Sequence, residues 1–498
     1  MLKKIQENLN EFGQRNAFCI EGKYYTYSEL KSLITGINEE ILARSNGSKF
    51  IGLVAHNDLE TYASIFAILF AGKAYVPLLP DTPVERNRMI VEQADIKIIL
   101  TSKSTDSVNS LARDQIELIN TKEVNHSHNS LKLVDYTGLD SAYLFFTSGS
   151  TGIPKGVPIS RGALESFTHA FFDLGYLLSP QDRFLQMFDL TFDLSVMSYL
   201  IPLLKGACVY TIPDQGVKYM NIYETLEEYK ITFALMVPSI LSYLRNYFDD
   251  IHLPDLRYSL FCGEALYNDI VMEWEKCVPN AMIQNVYGPT EATIFCLTYN
   301  WNKEAERNKH YNGILSIGKS MNDVDTLVLN EKNEIAAFEE KGEICLSGKQ
   351  LTRGYWKNEL KNKEAFVEVN YHGAPQKFYR TGDLGFLDHD GDFMYCGRID
   401  HQVKIDGYRI ELNEIEHYAR EYTSLSGIAA VAYKNALGNQ QIYLFLEKFH
   451  GDIAKVKEYL ISKLPHYMLP TDIAVLETFP LNVNGKIDRK KLKLSLEQ

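Results

Sequence analysis

Residues 143–156 read Tyr-Leu-Phe-Phe-Thr-Ser-Gly-Ser-Thr-Gly-Ile-Pro-Lys-Gly. The first four residues are apolar and predict a short buried strand, which the hydroxyl residues and glycines that follow cannot continue. Glycines let the backbone turn so that successive N–H groups point into one concavity, while hydroxyls and a lysine add donors and positive charge. The stretch therefore predicts a polyphosphate-binding loop formed by Thr147, Ser148, Gly149, Ser150, Thr151 and Lys155.

Two other interpretations of this stretch compete with a phosphate loop. Surface turns rich in Gly and Ser are common, and the stretch alone would fit one. The Walker loop of P-loop NTPases requires Ser or Thr after the lysine, whereas Gly156 stands there. The stretch instead resembles, nearly letter for letter, the phosphate loop of the adenylate-forming superfamily, which includes acyl-CoA synthetases, peptide-synthetase adenylation domains and luciferases.

Composition places the chain among ordinary globular proteins. It has 498 residues, of which 45% are hydrophobic and 23% charged, so it can form several cores. The net charge of −13 lies entirely before residue 399, because residues 399–498 hold 13 basic and 13 acidic side chains. An acidic chain disfavours a nucleic-acid partner.

The cysteines and the apolar segments indicate the cellular compartment of the protein. The seven cysteines are scattered and never spaced as C-x-x-C, which favours reduced thiols over disulfides or zinc. The N-terminus lacks the apolar core of a signal peptide, and the most apolar stretch, 62–79, is broken by Gly72, Lys73 and Pro77. We expect a cytoplasmic monomer without a membrane span.

The fold class follows from alternation along the chain. Helical patterns alternate with short apolar strands such as 50–54 and 96–101, which predicts α/β layers with a largely parallel sheet. Residues 342–348 and 353–356 predict a strand pair. Residues 397–416 read locally as a hairpin with Asp406-Gly407 at its tip.

Segment 397–416 also resembles the start of the superfamily's small domain. The resemblance implies an α/β fold with a large N-terminal domain of several subdomains, residues 1–399. A small mobile α+β domain, residues 400–498, would follow a hinge at Asp400. Lys404 would lie on the face of that domain that serves the second half of the reaction.

Three more segments match superfamily motifs: 258–265, 285–293 and 379–385. Their local patterns alone indicate only strands that end in turns. The resemblance implies that they bind ATP and Mg²⁺, with an aromatic plane against the base and a hard carboxylate oxygen on the metal. The implied nucleotide residues are Gly263, Asn285, Tyr287, Thr290, Asp383 and Arg398, and the implied metal ligand is Glu291.

Residues 482–489 carry Lys486 on a loop that contains a glycine. A lysine on such a loop is ordinarily a solvated surface residue. The resemblance instead makes Lys486 the catalytic lysine, which bridges the substrate carboxylate and the α-phosphate.

Residues 192–197 place Asp193 among apolar neighbours at the start of a predicted helix. A buried carboxylate requires a cationic partner or strong hydrogen bonds, although an aspartate here could also simply cap the helix. In amino-acid-activating members of the superfamily, the matching aspartate holds the substrate ammonium. The resemblance gives an otherwise uncharged pocket of Asp193, Leu194, Met197, Met236, Leu260, Cys262, Val286, Ile294 and Phe295, which disfavours charged substrates.

Residues 192–197 and 260–264 resemble D-alanine–carrier protein ligases in particular, in which a cysteine at the position of Cys262 shapes the D-alanine site. Phe295 departs from that pattern, because those ligases have a small residue there. The implied activity is ATP-dependent activation of a small amino acid, D-alanine first, and its transfer to the phosphopantetheine thiol of a separate carrier protein. Alternatives are a stand-alone peptide-synthetase adenylation enzyme for another small apolar amino acid, an acyl-CoA or aryl-acid ligase, and a non-catalytic binding protein.

Overall fold

A computed structural model describes residues 1–44, 47–112, 116–149, 152–400, 402–482 and 487–496. Helices and strands alternate through most of it, as the sequence predicts. The helices are α1 (Leu2–Glu11), α2 (Tyr27–Arg44), α3 (Leu59–Phe70), α4 (Val84–Gln93), α5 (Asp106–Asn109), α6 (Arg161–Asp173), α7 (Leu194–Lys205), α8 (Lys218–Glu228), α9 (Ser239–Leu244), α10 (Asn268–Cys277), α11 (Glu359–Ala365), α12 (Leu412–Thr423), α13 (Ile453–Lys463) and α14 (Arg489–Leu494).

The strands are β1 (Asn16–Ile20), β2 (Lys23–Thr26), β3 (Phe50–Val54), β4 (Ala74–Leu78), β5 (Ile98–Thr101), β6 (Glu117–Asn120), β7 (Ser141–Thr147), β8 (Lys155–Ser160), β9 (Arg183–Gln186), β10 (Cys208–Thr211), β11 (Phe233–Met236), β12 (Tyr258–Phe261), β13 (Met282–Tyr287), β14 (Leu297–Asn300), β15 (His310–Tyr311), β16 (Ile314–Leu315), β17 (Lys319–Ser320), β18 (Val324–Leu329), β19 (Gly342–Gly348), β20 (Phe366–Tyr371), β21 (Ala374–Leu387), β22 (Phe393–Arg398), β23 (Gln402–Ile405), β24 (Tyr408–Glu411), β25 (Ile428–Lys434), β26 (Gln440–Glu447) and β27 (Asp472–Leu476). The predicted strand 50–54 is confirmed as β3. β5 begins two residues later than predicted, because the Ile96 N–H bonds back to Val91 O and closes the end of α4.

Two mostly parallel sheets form the bulk of the chain before residue 320. One has the order β17-β14-β13-β12-β11-β9-β10-β1-β2, and its central pairs from β13 to β1 are parallel. The other has the order β6-β5-β3-β4-β7-β8 and is parallel except at β7–β8. Ligands of open α/β sheets bind beyond the carboxyl ends of such strands, which is where the loops after β7, β12 and β13 begin.

A third, antiparallel sheet has the order β18-β19-β21-β20, with β22 on β21. Residues 342–348 are a strand as predicted, but the prediction of a second strand at 353–356 is wrong. Gly354 has a φ of 141°, and the Asn362 side chain accepts the Tyr355 N–H at 2.6 Å and donates to the Tyr355 carbonyl at 3.1 Å. These backbone groups therefore pair with a side chain instead of a neighbouring strand.

The last hundred residues hold the hairpin β23–β24, the sheet β25-β26-β27 and helices α12 to α14. In the part of the chain that the structure describes, each buried apolar cluster lies wholly before or wholly after residue 400. All seven cysteines are free thiols. Within the same described residues, no helix combines the length and apolar character that crossing a bilayer requires.

Lys309 fastens the loop between β21 and β22, the two strands that carry Asp383 and Arg398. Its ammonium lies 2.7, 2.8 and 2.6 Å from carboxylate oxygens of Asp388, Asp390 and Asp392. Burial alone would raise the pKa of Asp388, but the bond from Lys309 holds it below its usual 3.8. Without this cation, three neighbouring carboxylates would repel one another.

We expect Lys309→Met to lower the free energy of unfolding by about 1–3 kcal/mol at neutral pH, as loss of hydrogen bonds to charged groups does. Because the Asp388 pKa is depressed, this stabilisation is present above pH ~4 and is lost as the pH falls further. The control is Lys349→Met, which removes one exposed pair with Asp323 and should cost only ~0–1 kcal/mol. Urea unfolding at pH 7 and below pH 4 measures both, and equal losses for the two variants would contradict the expectation.

Candidate functional site

The predicted phosphate loop joins β7 to β8, which pair antiparallel with Thr147 opposite Lys155. A Cβ added to Gly149 would lie 2.0 Å from the Ile153 carbonyl oxygen, so the tight loop requires glycine there. The Thr147 hydroxyl is buried and finds no hydrogen-bond partner among the described residues. Ser150 and Thr151 lie outside those residues. Within the described part of the chain, the loop thus keeps a donor that is not engaged by another protein group, as an anion site would.

The segment from β24 to α12 contacts this loop directly. Lys155 Nζ lies 3.2 Å from Glu411 Oε1, and both side chains are 10% exposed. The Gly149 N–H donates to Glu414 Oε2 at 3.1 Å, and Ser148 Oγ donates to the Arg409 carbonyl at 2.8 Å. Burial, with the nearby Arg409 charge, holds the pKa of Lys155 below its usual value. In this arrangement, the carboxylates of Glu411 and Glu414 bond to Lys155 and to the Gly149 N–H, two groups that could otherwise bind phosphate oxygens.

Glu291 stands on a short turn after β13 and is fully buried. Arg409 Nη1 lies 3.0 Å from both carboxylate oxygens, and the Tyr355 hydroxyl donates to Oε1 at 2.7 Å. Burial by itself would raise the pKa of Glu291, but the Arg409 charge and the Tyr355 bond bring it down to about 2. The carboxylate is therefore ionised at neutral pH.

An ionised, buried carboxylate is a hard oxygen donor that fits Mg²⁺. No cluster of three or more His, Cys, Asp or Glu side chains in the described part of the chain could hold a metal ion by itself. Mg²⁺ usually binds through one or two carboxylates together with substrate phosphates, and Glu291 beside the phosphate loop suits that mode.

The predicted nucleoside residues meet beyond β12 and β13. Gly263 has a φ of 94°, which suits glycine, and Tyr287 ends β13. The Tyr287 hydroxyl donates to Asp383 Oδ2, and Arg398 Nη1 donates to Asp383 Oδ1 at 2.6 Å. Arg398 also donates through Nε and Nη2 to the two carboxylate oxygens of Asp400, each at 2.7 Å. The Asp383 carboxylate, one of the predicted nucleotide residues, is thus linked through Arg398 to the predicted hinge at Asp400.

Two other predicted nucleotide residues, Asn285 and Thr290, contact the protein backbone or begin a turn. The Asn285 amide donates to the Ser316 carbonyl at 2.9 Å, so it supports the backbone of the neighbouring segment. Thr290 begins the turn that carries Glu291.

Asp193 immediately precedes α7 and is 4% exposed. Within the described residues, its side chain does not cap the helix, and its Oδ2 is buried without a hydrogen-bond partner. Burial raises the pKa of Asp193 to about 7, although the Thr290 hydroxyl lowers it in part. The interpretation of Asp193 as a simple helix cap is therefore wrong. Among the described residues the carboxylate forms no salt bridge, although the charge of Lys404 also lowers its pKa in part, so its burial is only partly compensated.

The apolar residues predicted to line the pocket are all buried. The parallel strands β11, β12 and β13 bring three of them, Met236, Cys262 and Val286, to one edge of the sheet. Burial raises the pKa of the Cys262 thiol to about 12, so it is neutral. The complete apolar set is at most 2% exposed and consists of Leu194, Met197, Met236, Leu260, Cys262, Val286, Ile294 and Phe295.

The turn at 293–295 is strained. Thr293 and Ile294 have φ values of 57° and 72°, a conformation that β-branched residues rarely adopt. The Phe295 ring that follows packs edge-on against Phe167, with ring centroids 5.1 Å apart. Phe295 is therefore a fixed side chain of the core.

The hairpin predicted within 397–416 is confirmed as β23–β24, which occupies only 402–411 and has Asp406 and Gly407 at its tip. The Gly407 N–H donates to Glu264 Oε1 at 3.1 Å, and a Cβ there would lie 2.6 Å from Val237. Lys404 Nζ lies 6.0 Å from the centroid of the Tyr287 ring. The hairpin therefore brings Lys404 to the nucleoside residues.

Lys486 lies outside the described residues, so its predicted role stays a prediction. Among the residues that contact predicted site residues, Arg409, Glu411, Glu414 and Tyr355 were not themselves predicted from the sequence. The first three lie inside the signature 397–416, where alternation in the hairpin puts Arg409 and Glu411 on one face of β24. Tyr355 lies in the segment that the sequence pattern wrongly indicates as a strand.

Comparison with known proteins finds matches that cover most of the chain. A family model described as AMP-binding enzyme matches residues 5–356. Tyrocidine synthase 3 of Brevibacillus parabrevis is 34% identical over 506 residues, which cover 98% of this chain but only 7% of that relative. Tyrocidine synthase 1 of the same organism is 31% identical over 501 residues, which cover 98% of this chain and 44% of that relative. The chain thus spans less than half the length of these relatives.

Solved structures agree in fold. The Vibrio cholerae adenylation domain AlmE, in complex with glycyl-adenosine-5'-phosphate, has a TM-score of 0.87 and 25% identity, covering 99% of this chain and 97% of AlmE. PA1221, an NRPS protein containing adenylation and PCP domains, has a TM-score of 0.86 and 24% identity, covering 98% of this chain and 83% of PA1221. The expected α/β fold class, a large N-terminal domain with a small C-terminal one, is confirmed.

Proposed function

Because the chain belongs to the AMP-binding enzyme family, we propose that it activates a small amino acid with ATP and transfers it to the phosphopantetheine thiol of a separate carrier protein. The observation that carries this proposal is Asp193, a buried carboxylate with an unpartnered oxygen in the described structure. A substrate ammonium would supply the ion-pair partner that none of the described residues provides. Fatty and aryl acids have no such group, which disfavours an acyl-CoA or aryl-acid ligase.

In the first half-reaction, a substrate carboxylate oxygen attacks the α-phosphorus of ATP. The new O–P bond forms as the bond to the bridging α,β oxygen breaks, which gives aminoacyl-AMP and pyrophosphate. Lys155 and the loop N–H groups would hold the departing phosphates, and Lys486 would lie between the two reacting anions. Mg²⁺ bound at Glu291 would neutralise phosphate charge.

In the second half-reaction, the carrier thiol loses its proton and its sulfur attacks the acyl carbonyl. A C–S bond forms, the acyl–phosphate C–O bond breaks, and AMP leaves. The described arrangement suits a site from which pyrophosphate has gone, because Glu411 pairs with Lys155 and Arg409 pairs with Glu291. We propose that the small domain turns about Asp400 to exchange this arrangement for one that delivers Lys486.

For the substrate, we propose D-alanine first and glycine second. The residues around Asp193 and Cys262 support D-alanine, whereas AlmE, whose structure holds glycyl-adenosine-5'-phosphate, and the rigid Phe295 favour glycine. The carrier, the monomeric state and the cytoplasmic location remain proposals from the sequence.

The substrate is tested by trapping the activated acyl group with hydroxylamine and comparing kcat/KM for D-alanine, L-alanine, glycine and larger apolar amino acids. We expect a modest preference for D-alanine, because one methyl-sized contact discriminates by only about 1–3 kcal/mol. Cys262→Ala should relax the D/L ratio, and Phe295→Ala should admit larger side chains. A wild type that prefers leucine or phenylalanine to alanine would refute the choice of substrate.

A further inference from the structure

Residues 350–356, here called the clamp segment, hold the Glu291 turn and the phosphate-loop strand together. On the Glu291 side, the Thr352 N–H donates to the Glu291 carbonyl at 2.7 Å. On the other side, Thr352 Oγ1 donates to the Pro158 carbonyl at 2.7 Å, and the Trp356 N–H donates to the Gly156 carbonyl at 2.8 Å. The clamp segment therefore fixes the backbone of Glu291 relative to the strand that carries Lys155.

Tyr355 is the side chain of the clamp segment that reaches into the site. It is 4% exposed, its hydroxyl donates to Glu291 Oε1 at 2.7 Å, and Lys155 Nζ lies 5.8 Å from its ring centroid. Its backbone is fixed by two hydrogen bonds with the Asn362 side chain, which accepts one from the Tyr355 N–H and donates one to the Tyr355 carbonyl. All of these residues precede residue 400, so the contacts do not depend on the position of the small domain.

We propose that Tyr355 is a positioning residue that occupies Oε1 of Glu291, so that the carboxylate binds the metal of the metal–ATP complex through Oε2 alone. Arg409 contacts both oxygens. When it withdraws with the small domain, Oε1 keeps its bond from Tyr355, whereas Oε2 keeps none of the bonds that the structure describes. This inference rests on the proposed function, because it assigns the metal to the ATP-bound state of the same site.

A carboxylate that binds through a single oxygen favours Mg²⁺ over Ca²⁺. Mg²⁺ requires near-ideal octahedral geometry with short bonds to single oxygens, whereas Ca²⁺ is larger and accepts two oxygens from one carboxylate. Because Tyr355 keeps one of the two lone pairs of Oε1 engaged, Oε2 is the freer oxygen of Glu291 once Arg409 has left. A two-oxygen contact with Ca²⁺ would compete with the Tyr355 hydrogen bond. Tyr355 should therefore strengthen binding of Mg²⁺ and penalise Ca²⁺.

The test is Tyr355→Phe, which keeps the ring and removes only the hydroxyl. Isothermal titration calorimetry would measure the binding of α,β-methylene-ATP to the full chain over a range of Mg²⁺ or Ca²⁺ concentrations, without amino acid. Loss of a residue that orients a metal ligand commonly costs 10–100-fold in metal affinity. We expect the half-saturating Mg²⁺ concentration to rise about 10-fold while that of Ca²⁺ stays unchanged or falls.

Tyr27→Phe is the matched control, because it removes another buried hydroxyl, which donates to the Ala207 carbonyl at 2.6 Å, far from Glu291 in the sequence. It should leave both metal requirements unchanged. Provided that the wild type binds the metal–nucleotide, two results would overturn the inference. One is an unchanged Mg²⁺ dependence in Tyr355→Phe, and the other is an equal loss of affinity for both metals. A wild type that bound no metal–nucleotide at all would overturn the proposed function as well.

Discussion

Asp193→Asn is expected to abolish most amino-acid activation and, at the same time, to stabilise the protein in the absence of substrate. The substrate ammonium would lose its counter-charge inside a buried pocket, which costs about 3–5 kcal/mol. We therefore expect kcat/KM for alanine to fall at least ~10²-fold in a hydroxamate assay. Propionate, which lacks the amino group, should not lose activity in the same proportion.

The stabilisation follows from the pKa of Asp193, which burial raises from 3.8 to about 7. Because the folded state disfavours the ionised form, folding loses stability as the pH rises from 3.8 to about 7, and the loss is complete above that range. Asn removes the charge, and the gain at pH 8 should be about 1–3 kcal/mol once burial of the amide is counted. The difference between variant and wild type should shrink as the pH falls towards 4, as urea unfolding can show.

Asp182→Asn is the matched control for this prediction. Asp182 is also buried, but it accepts bonds from the Ser179 N–H at 2.7 Å, from Thr232 Oγ1 at 2.7 Å and from Arg257 at 3.0 Å. Its replacement should destabilise the protein and leave the KM for the amino acid unchanged. Asp193 would lose its assigned role if Asp193→Asn used alanine as well as the wild type does.

Lys486→Ala is expected to slow adenylation at least ~10²-fold, as loss of a charge contact to the transition state does. The same variant should still transfer preformed aminoacyl-AMP to a holo carrier protein, because the proposed rotation of the small domain removes Lys486 from the site before the transfer and brings Lys404 there instead. Single-turnover assays of the two half-reactions would separate these effects.

Two further lysines serve as comparisons for Lys486. Lys404→Ala should impair the transfer step more than adenylation, because Lys404 lies near Tyr287 in the described arrangement. Lys490→Ala, an exposed neighbour in the sequence, should change neither step. Equal losses of both half-reactions in Lys486→Ala would show that one arrangement of the small domain serves the whole reaction.

The sequence alone predicted the elements whose patterns are local. The apolar run before Thr147 predicted β7, and Asp406-Gly407 predicted the hairpin, because short-range periodicity and turn chemistry determine such elements. The prediction of a strand at 353–356 failed, because the Asn362 side chain forms hydrogen bonds with the backbone N–H and carbonyl of Tyr355. No local sequence pattern reveals that contact.

The relation between the small domain and the site was not predictable from the sequence. Arg409 on Glu291 and Glu414 on the Gly149 N–H join residues 118 and 265 positions apart, and only the packing of the small domain brings them together. The sequence showed that Asp193 was an acid among apolar residues. That its Oδ2 has no hydrogen-bond partner among the described residues follows only from the positions of the surrounding side chains.

Amino-acid-dependent exchange of labelled pyrophosphate into ATP tests the central claim most directly, because it requires reversible formation of an aminoacyl-AMP and no carrier protein. With Mg²⁺ and ATP present, we expect exchange that depends on a small amino acid, is strongest with D-alanine or glycine, and is lost in Asp193→Asn. Exchange that no amino acid stimulates, but that a fatty or aryl acid does, would contradict the account.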